Sequence, residues 1–90
     1  MMKPYLITFN KCYNEDYESL EEEIKRSPEW WSYIENTWII LTNETADEVW
    51  ERLEKLFPKD GRILIIEVKA NCQGWLENDA WKWIEEKMGK

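Results

Sequence analysis

The chain has 90 residues, with 19 acidic against 12 basic side chains, a net charge of −7, seven tryptophans, two cysteines and no histidine. That length can build a core without staples, hiding roughly 60–70% of the surface the unfolded chain exposes. The missing histidine excludes Ser-His-Asp and Cys-His triads and argues against a His/Cys zinc site, while the acidic balance argues against general phosphate binding, which rests on Lys and Arg. The excess negative charge is concentrated mid-chain, where residues 27–60 carry eight acidic and three basic groups.

The first element is a strand from Pro4 to Phe9, whose nearly continuous run Tyr5-Leu6-Ile7-Thr8-Phe9 predicts a central position. Pro4 suits its first residue, where a missing N–H matters least. A helix follows, with Asn14 as its cap, Glu15 and Asp16 in its positive first turn, and Tyr13, Tyr17, Leu20 and Ile24 as one apolar stripe. Ser27-Pro28 stops it.

The stretch Trp30–Thr42 is rich in aromatic and β-branched residues and is broken by Glu35-Asn36-Thr37, which predicts a hairpin. Alternation puts Trp31 and Tyr33 on one face and Trp30 and Ile34 on the other. Both faces carry large apolar groups, so one meets the helices and the other needs cover. Thr45-Ala46-Asp47-Glu48 then reads as a capping box. It opens a helix with Ala46, Val49, Trp50, Leu53, Leu56 and Phe57 on its apolar face. Pro58-Lys59-Asp60-Gly61 ends it. Ile63-Leu64-Ile65-Ile66 predicts a second continuously buried strand. A third helix runs from Glu77 or Asn78 to Met88, with Leu76, Ala80, Trp81, Ile84 and Met88 along one side and Trp83 off it.

The order strand, helix, strand, strand, helix, strand is that of a ferredoxin-like βαββαβ fold of the α+β class. It predicts one domain over residues 1–90, with a four-stranded antiparallel sheet, two helices on one face and an additional C-terminal helix over 77–88. The opposite face then awaits a partner or the third helix.

Met1-Met2-Lys3-Pro4 opens without the long apolar run of a secretory leader, and no stretch reaches the roughly 18 apolar residues of a transmembrane helix. A cytoplasmic protein with no membrane attachment is expected. Cys12 and Cys72 form neither a disulfide framework nor a Cys-x-x-Cys motif.

Tyr5–Asn10, Trp30-Trp31-x-Tyr33, Thr37–Thr42, Ile63–Val68, Gly74-Trp75-Leu76 and Ala80-Trp81-x-Trp83 together make the chain resemble the SinR-like small proteins. These are related in fold to the CRISPR-associated Cas-two subunit and to VapD-type ribonucleases. The resemblance covers roughly residues 4–85 and implies a ferredoxin-like homodimer. In the Cas-two relatives an aspartate ending the first strand is associated with metal-dependent phosphodiester cleavage; here that position falls on Asn10. An amide oxygen can ligate magnesium but brings no charge, and hard cations prefer carboxylates. Glu15 and Asp16 are the nearby carboxylates, more simply read as first-turn helix charges.

Three functions follow as expectations. The first is a homodimeric interaction protein without catalytic activity or cofactor. Trp30, Trp31, Tyr33, Trp38 and Trp75 are its interface residues, and a separate protein partner is left open. The alternative is a magnesium-dependent endoribonuclease or endonuclease of the Cas-two or VapD type. It has Asn10 as candidate catalytic and metal-ligating residue. A third reading, which the acidic balance makes the least favoured, is a nucleic-acid binder without cleavage; Lys3, Lys11, Arg62 and Lys69, which flank strand ends, are its candidate nucleic-acid contacts. The tryptophans could stack bases, but basic residues are not interleaved with them.

Overall fold

The run Tyr5–Phe9 does form the centre of the sheet. The computed structural model describes residues 1–12 and 15–89, so Tyr13 and the expected Asn14 cap lie outside the described residues. The elements are β1 (Lys3–Phe9), α1 (Glu18–Ile24), β2 (Glu29–Ile34), β3 (Thr37–Thr42), α2 (Ala46–Glu54), β4 (Ile63–Glu67) and α3 (Asn78–Met88). The chain is α+β, with one antiparallel sheet in the order β2-β3-β1-β4. No helix among the described residues is long and apolar enough to cross a membrane.

Alternation along β1 and β3 divides the apolar residues between two clusters. Tyr5, Ile7 and Phe9 of β1 and Trp38 and Ile40 of β3 pack with Leu20 and Ile24 of α1 and with Val49 and Leu53 of α2. Ile39 of β3 and Trp31 of β2 pack on the opposite face with Ala80 and Ile84 of α3, flanked by Leu6, Leu76, Trp81, Trp83 and Met88. The third helix therefore covers part of the second face. Trp83, off the expected stripe, joins that cluster too.

Three local features depart from the sequence reading. Helix α1 starts at Glu18, after Glu15 and Asp16. Asp16 acts just ahead of it: its Oδ1 accepts the Glu18 N–H at 2.9 Å. The hairpin turn is shorter than expected, since Thr37 already belongs to β3, and the reversal uses Asn36 at φ 57°, a left-handed conformation that asparagine tolerates. The β2–β3 register slips between Trp31 and Ile34. Strict alternation fails there, and Ile34 ends up lining the same groove as Trp31 rather than sharing a face with Trp30.

Helix α2 begins as its sequence dictates. Thr45 Oγ1 accepts the Glu48 N–H at 3.2 Å, and Glu48 Oε1 accepts the Thr45 N–H at 2.8 Å. Thr45→Ala removes the first bond and is expected to cost about 1 kcal/mol, read as a lower urea midpoint at unchanged slope. At the far end, Gly61 lies against the Phe57 ring; a Cβ there would sit 2.5 Å from Phe57 Cε2.

One polar cluster ties the helices to the sheet. The Arg52 guanidinium donates to the Glu44 carboxylate at 2.9 Å, the Glu23 carbonyl at 3.0 Å, the Glu23 carboxylate at 3.2 Å and Ser27 Oγ at 3.0 Å. It thereby joins α2 to the end of α1 and to the β3–α2 connection. Glu44 also accepts the Thr42 hydroxyl at 2.8 Å, and its carbonyl accepts the Tyr5 hydroxyl at 2.9 Å.

Candidate interaction surface

The α3 face carries an apolar surface that the fold does not explain. Paired residues set its rows: Trp31, Ile39, Leu6 and Ile66 lie side by side across the four strands, and Ile34, Thr37, Thr8 and Leu64 form the next row. Helix α3 covers the Trp31–Ile39 end of the first row. It does not cover β4, where Leu64 is 53% exposed and Ile66 46%. The run Ile63–Ile66, expected to be buried throughout, is thus an edge strand. Only Ile63 and Ile65 turn toward the α1–α2 cluster. An aliphatic edge strand of this kind, with unpaired backbone groups along one side, is a surface prone to pairing.

Beside that strip lies a groove of about 760 Å³ between the sheet, α3 and the connection over residues 68–77. Trp31, Ile39 and Ile84 are among its buried lining residues, while Ile34, Lys69, Gln73 and Trp75 line it from exposed positions. Trp75 is the most exposed of the tryptophans, at 86%. Sequence reasoning missed this groove, because residues 68–77 show no periodicity that would place them over the sheet.

The five aromatic residues expected at an interface separate into two groups. Trp31 and Trp38 are buried within the chain itself, whereas Trp30, Tyr33 and Trp75 retain surface. Trp31 donates its indole N–H to the Ala80 carbonyl at 3.2 Å. Trp38 packs at 5.6 Å from Trp30, and Lys25 Nζ lies 5.3 Å and 5.9 Å from the two ring centres, a favourable cation–π placement.

Asn10 follows β1 and closes its ladder with β4. Its N–H donates to the Arg62 carbonyl at 3.2 Å and its Oδ1 accepts the Arg62 N–H at 3.0 Å. The oxygen a metal would need is engaged in a bond between the ends of neighbouring strands, to a residue 52 positions away. No group of three or more His, Cys, Asp or Glu side chains fit to hold a metal occurs among the described residues.

The four basic candidates do not form one strip. Because β1 and β4 run antiparallel, Lys3 and Lys69 flank one end of the pair and Lys11 and Arg62 the other, about 20 Å away at the usual rise per residue. Lys11 is drawn toward Glu21 at 3.7 Å and lies over the Tyr17 ring at 5.6 Å. The cysteines are separated as well: the Cys12 N–H donates to the Tyr17 hydroxyl at 2.6 Å, whereas Cys72 packs in the α3 cluster. Burial of Tyr17 pushes its phenol pKa up.

Compared with protein-family models, curated proteins and solved structures, the chain shows no significant match to any of them.

Proposed function

We propose that this chain is a ferredoxin-like interaction protein that acts as a homodimer, akin to the SinR-like group, and has no catalytic activity of its own. The observation that carries the reading is the uncovered aliphatic strip Leu64–Ile66 on edge strand β4, continuous across the sheet with Leu6. A second copy is the occupant that suits it, because an edge strand paired antiparallel with itself satisfies its own backbone groups and brings Leu64 beside Ile66 of the partner. The strand order β2-β3-β1-β4 supports the ferredoxin-like assignment, since two right-handed βαβ crossovers with one strand between each pair give this order. The engagement of the Asn10 amide by Arg62 weighs against the nuclease alternative.

Light scattering behind size exclusion tests it. The expected result is twice the chain mass at micromolar concentration. The double substitution Leu64→Lys and Ile66→Lys should return the monomer mass with an unchanged far-ultraviolet circular dichroism spectrum, because exposed positions change stability by about 0.5 kcal/mol or less. A monomer in the unsubstituted protein overturns the reading.

A further inference from the structure

The groove beside α3 has a direction. At one end are Ile34 and Thr37, at the β2–β3 turn; at the other are Val68 and Lys69, beyond β4. Thr37 lies opposite Thr8, while the Val68 N–H donates to the Pro4 carbonyl at 3.0 Å. The ends are thus four residues apart along β1, ~13 Å at the usual rise. Leu6 and Ile39, which pair between those positions, leave the stretch apolar.

The charge is equally one-sided. Among the described residues, Lys69 is the one charged side chain of the lining, and no Asp or Glu lines the groove, in a chain with 19 of them. Lys69 makes no ion pair among the described residues. Asn71 and Gln73 follow it on the same connection and add neutral hydrogen-bonding groups to the lining. A volume of this size, mostly apolar and with a few polar groups, is typical of a small-molecule site.

We infer that the groove binds a linear aliphatic monocarboxylate, its hydrocarbon chain lying over Leu6 and Ile39 toward Ile34 and its carboxylate at Lys69. The alternatives meet specific penalties. A cationic head would face Lys69, and a chain carrying polar groups along its length would leave them unpaired over Leu6 and Ile39. The inference does not rest on self-association, because Leu64 and Ile66 lie outside the groove lining.

Tryptophan fluorescence of the full chain tests it, because Trp31, Trp75 and Trp81 line the groove. Dodecanoate is titrated below its micelle-forming concentration, beside dodecyltrimethylammonium. Dodecanoate should saturate at one molecule per chain, with the ammonium ligand weaker by about fivefold, the upper end of what one exposed charge pair supplies. Lys69→Glu should reverse the order of dodecanoate and the ammonium ligand. Ile34→Glu, at an exposed position, should weaken dodecanoate without altering the circular dichroism spectrum. Equal affinity for the two ligands, indifference to Lys69→Glu, or absence of saturation overturns the inference. So does an apparent affinity that falls as protein concentration rises, which would mean that a second copy fills the groove.

Discussion

Trp31→Ala is expected to cost about 3–5 kcal/mol, the range for truncating a large buried aromatic, and to release α3 from the sheet. The indole is 3% exposed and packs with Ile39, Ala80 and Ile84. Its N–H also reaches the Ala80 carbonyl, in the first turn of α3. The truncation therefore removes packing and a directional anchor together. An 11-residue helix is too short to hold itself in water, so α3 amides should lose hydrogen-exchange protection well before those of β1. Trp31→Phe separates the two contributions. It retains most of the ring packing and should lose about 1 kcal/mol with the hydrogen bond. A cost for Trp31→Ala near the 0.5 kcal/mol of a surface change would show that α3 does not depend on this contact.

Arg52→Ala should cost about 2–4 kcal/mol in urea unfolding, which for a domain this small is a fall in melting temperature of roughly 10–25 °C. The guanidinium holds two carboxylates, a carbonyl and a hydroxyl, and its loss leaves those acceptors partly buried. Arg52→Lys should recover only part of the loss, because an ammonium cannot reproduce the planar fork. The variant also has a pH signature. Burial alone would raise the Glu44 pKa, but the Arg52 hydrogen bonds, the Thr42 hydroxyl and the Arg52 charge outweigh it and hold the carboxyl below its usual range. The unfolded chain then binds the proton more readily than the folded one. Stability from this group is present above the ordinary glutamate pKa of about 4.3 and is lost as pH falls through the lowered folded value. In Arg52→Ala only the burial and the Thr42 bond remain, so the deficit relative to the unsubstituted protein should shrink as the solution is acidified. A deficit independent of pH between neutral and acid conditions would exclude Glu44 as the linked group.

Much of the fold was legible because its signals are local. The run Tyr5–Phe9, the Thr45–Glu48 capping box and the Asn78–Met88 stripe each lie within one element, and each marks that element correctly. What could not be read depends on neighbours distant in the chain. Ile63–Ile66 looks the same whether a strand is central or at an edge; only the sheet order exposes Leu64 and Ile66. The slip between Trp31 and Ile34 breaks a period-two pattern that the residues themselves do not betray. Arg52 meets Glu23 and Ser27 across 29 and 25 positions, and no spacing rule finds such partners. The candidate site was legible in type but not in place. An apolar surplus on the second face was evident, yet Trp31 and Trp38 turned inward, while Trp75, already expected at an interface, kept its surface and was joined by Ile34, Leu64 and Ile66, which were not.

The position of β1 between β3 and β4 also bears on how the chain reaches this state. The hairpin β2–β3 joins neighbours in sequence and can close in about 1–10 μs. Strand β1 has no such partner: it pairs Thr8 with Thr37 on one side and Thr8 with Leu64 on the other, so both of its ladders wait for segments made later. The slow step is therefore expected to be the closure of these long loops, whose entropy is lost before the contacts form. During synthesis, Tyr5-Leu6-Ile7 remains an unpaired apolar strand until β3 has emerged, and one of its edges stays open until β4 follows.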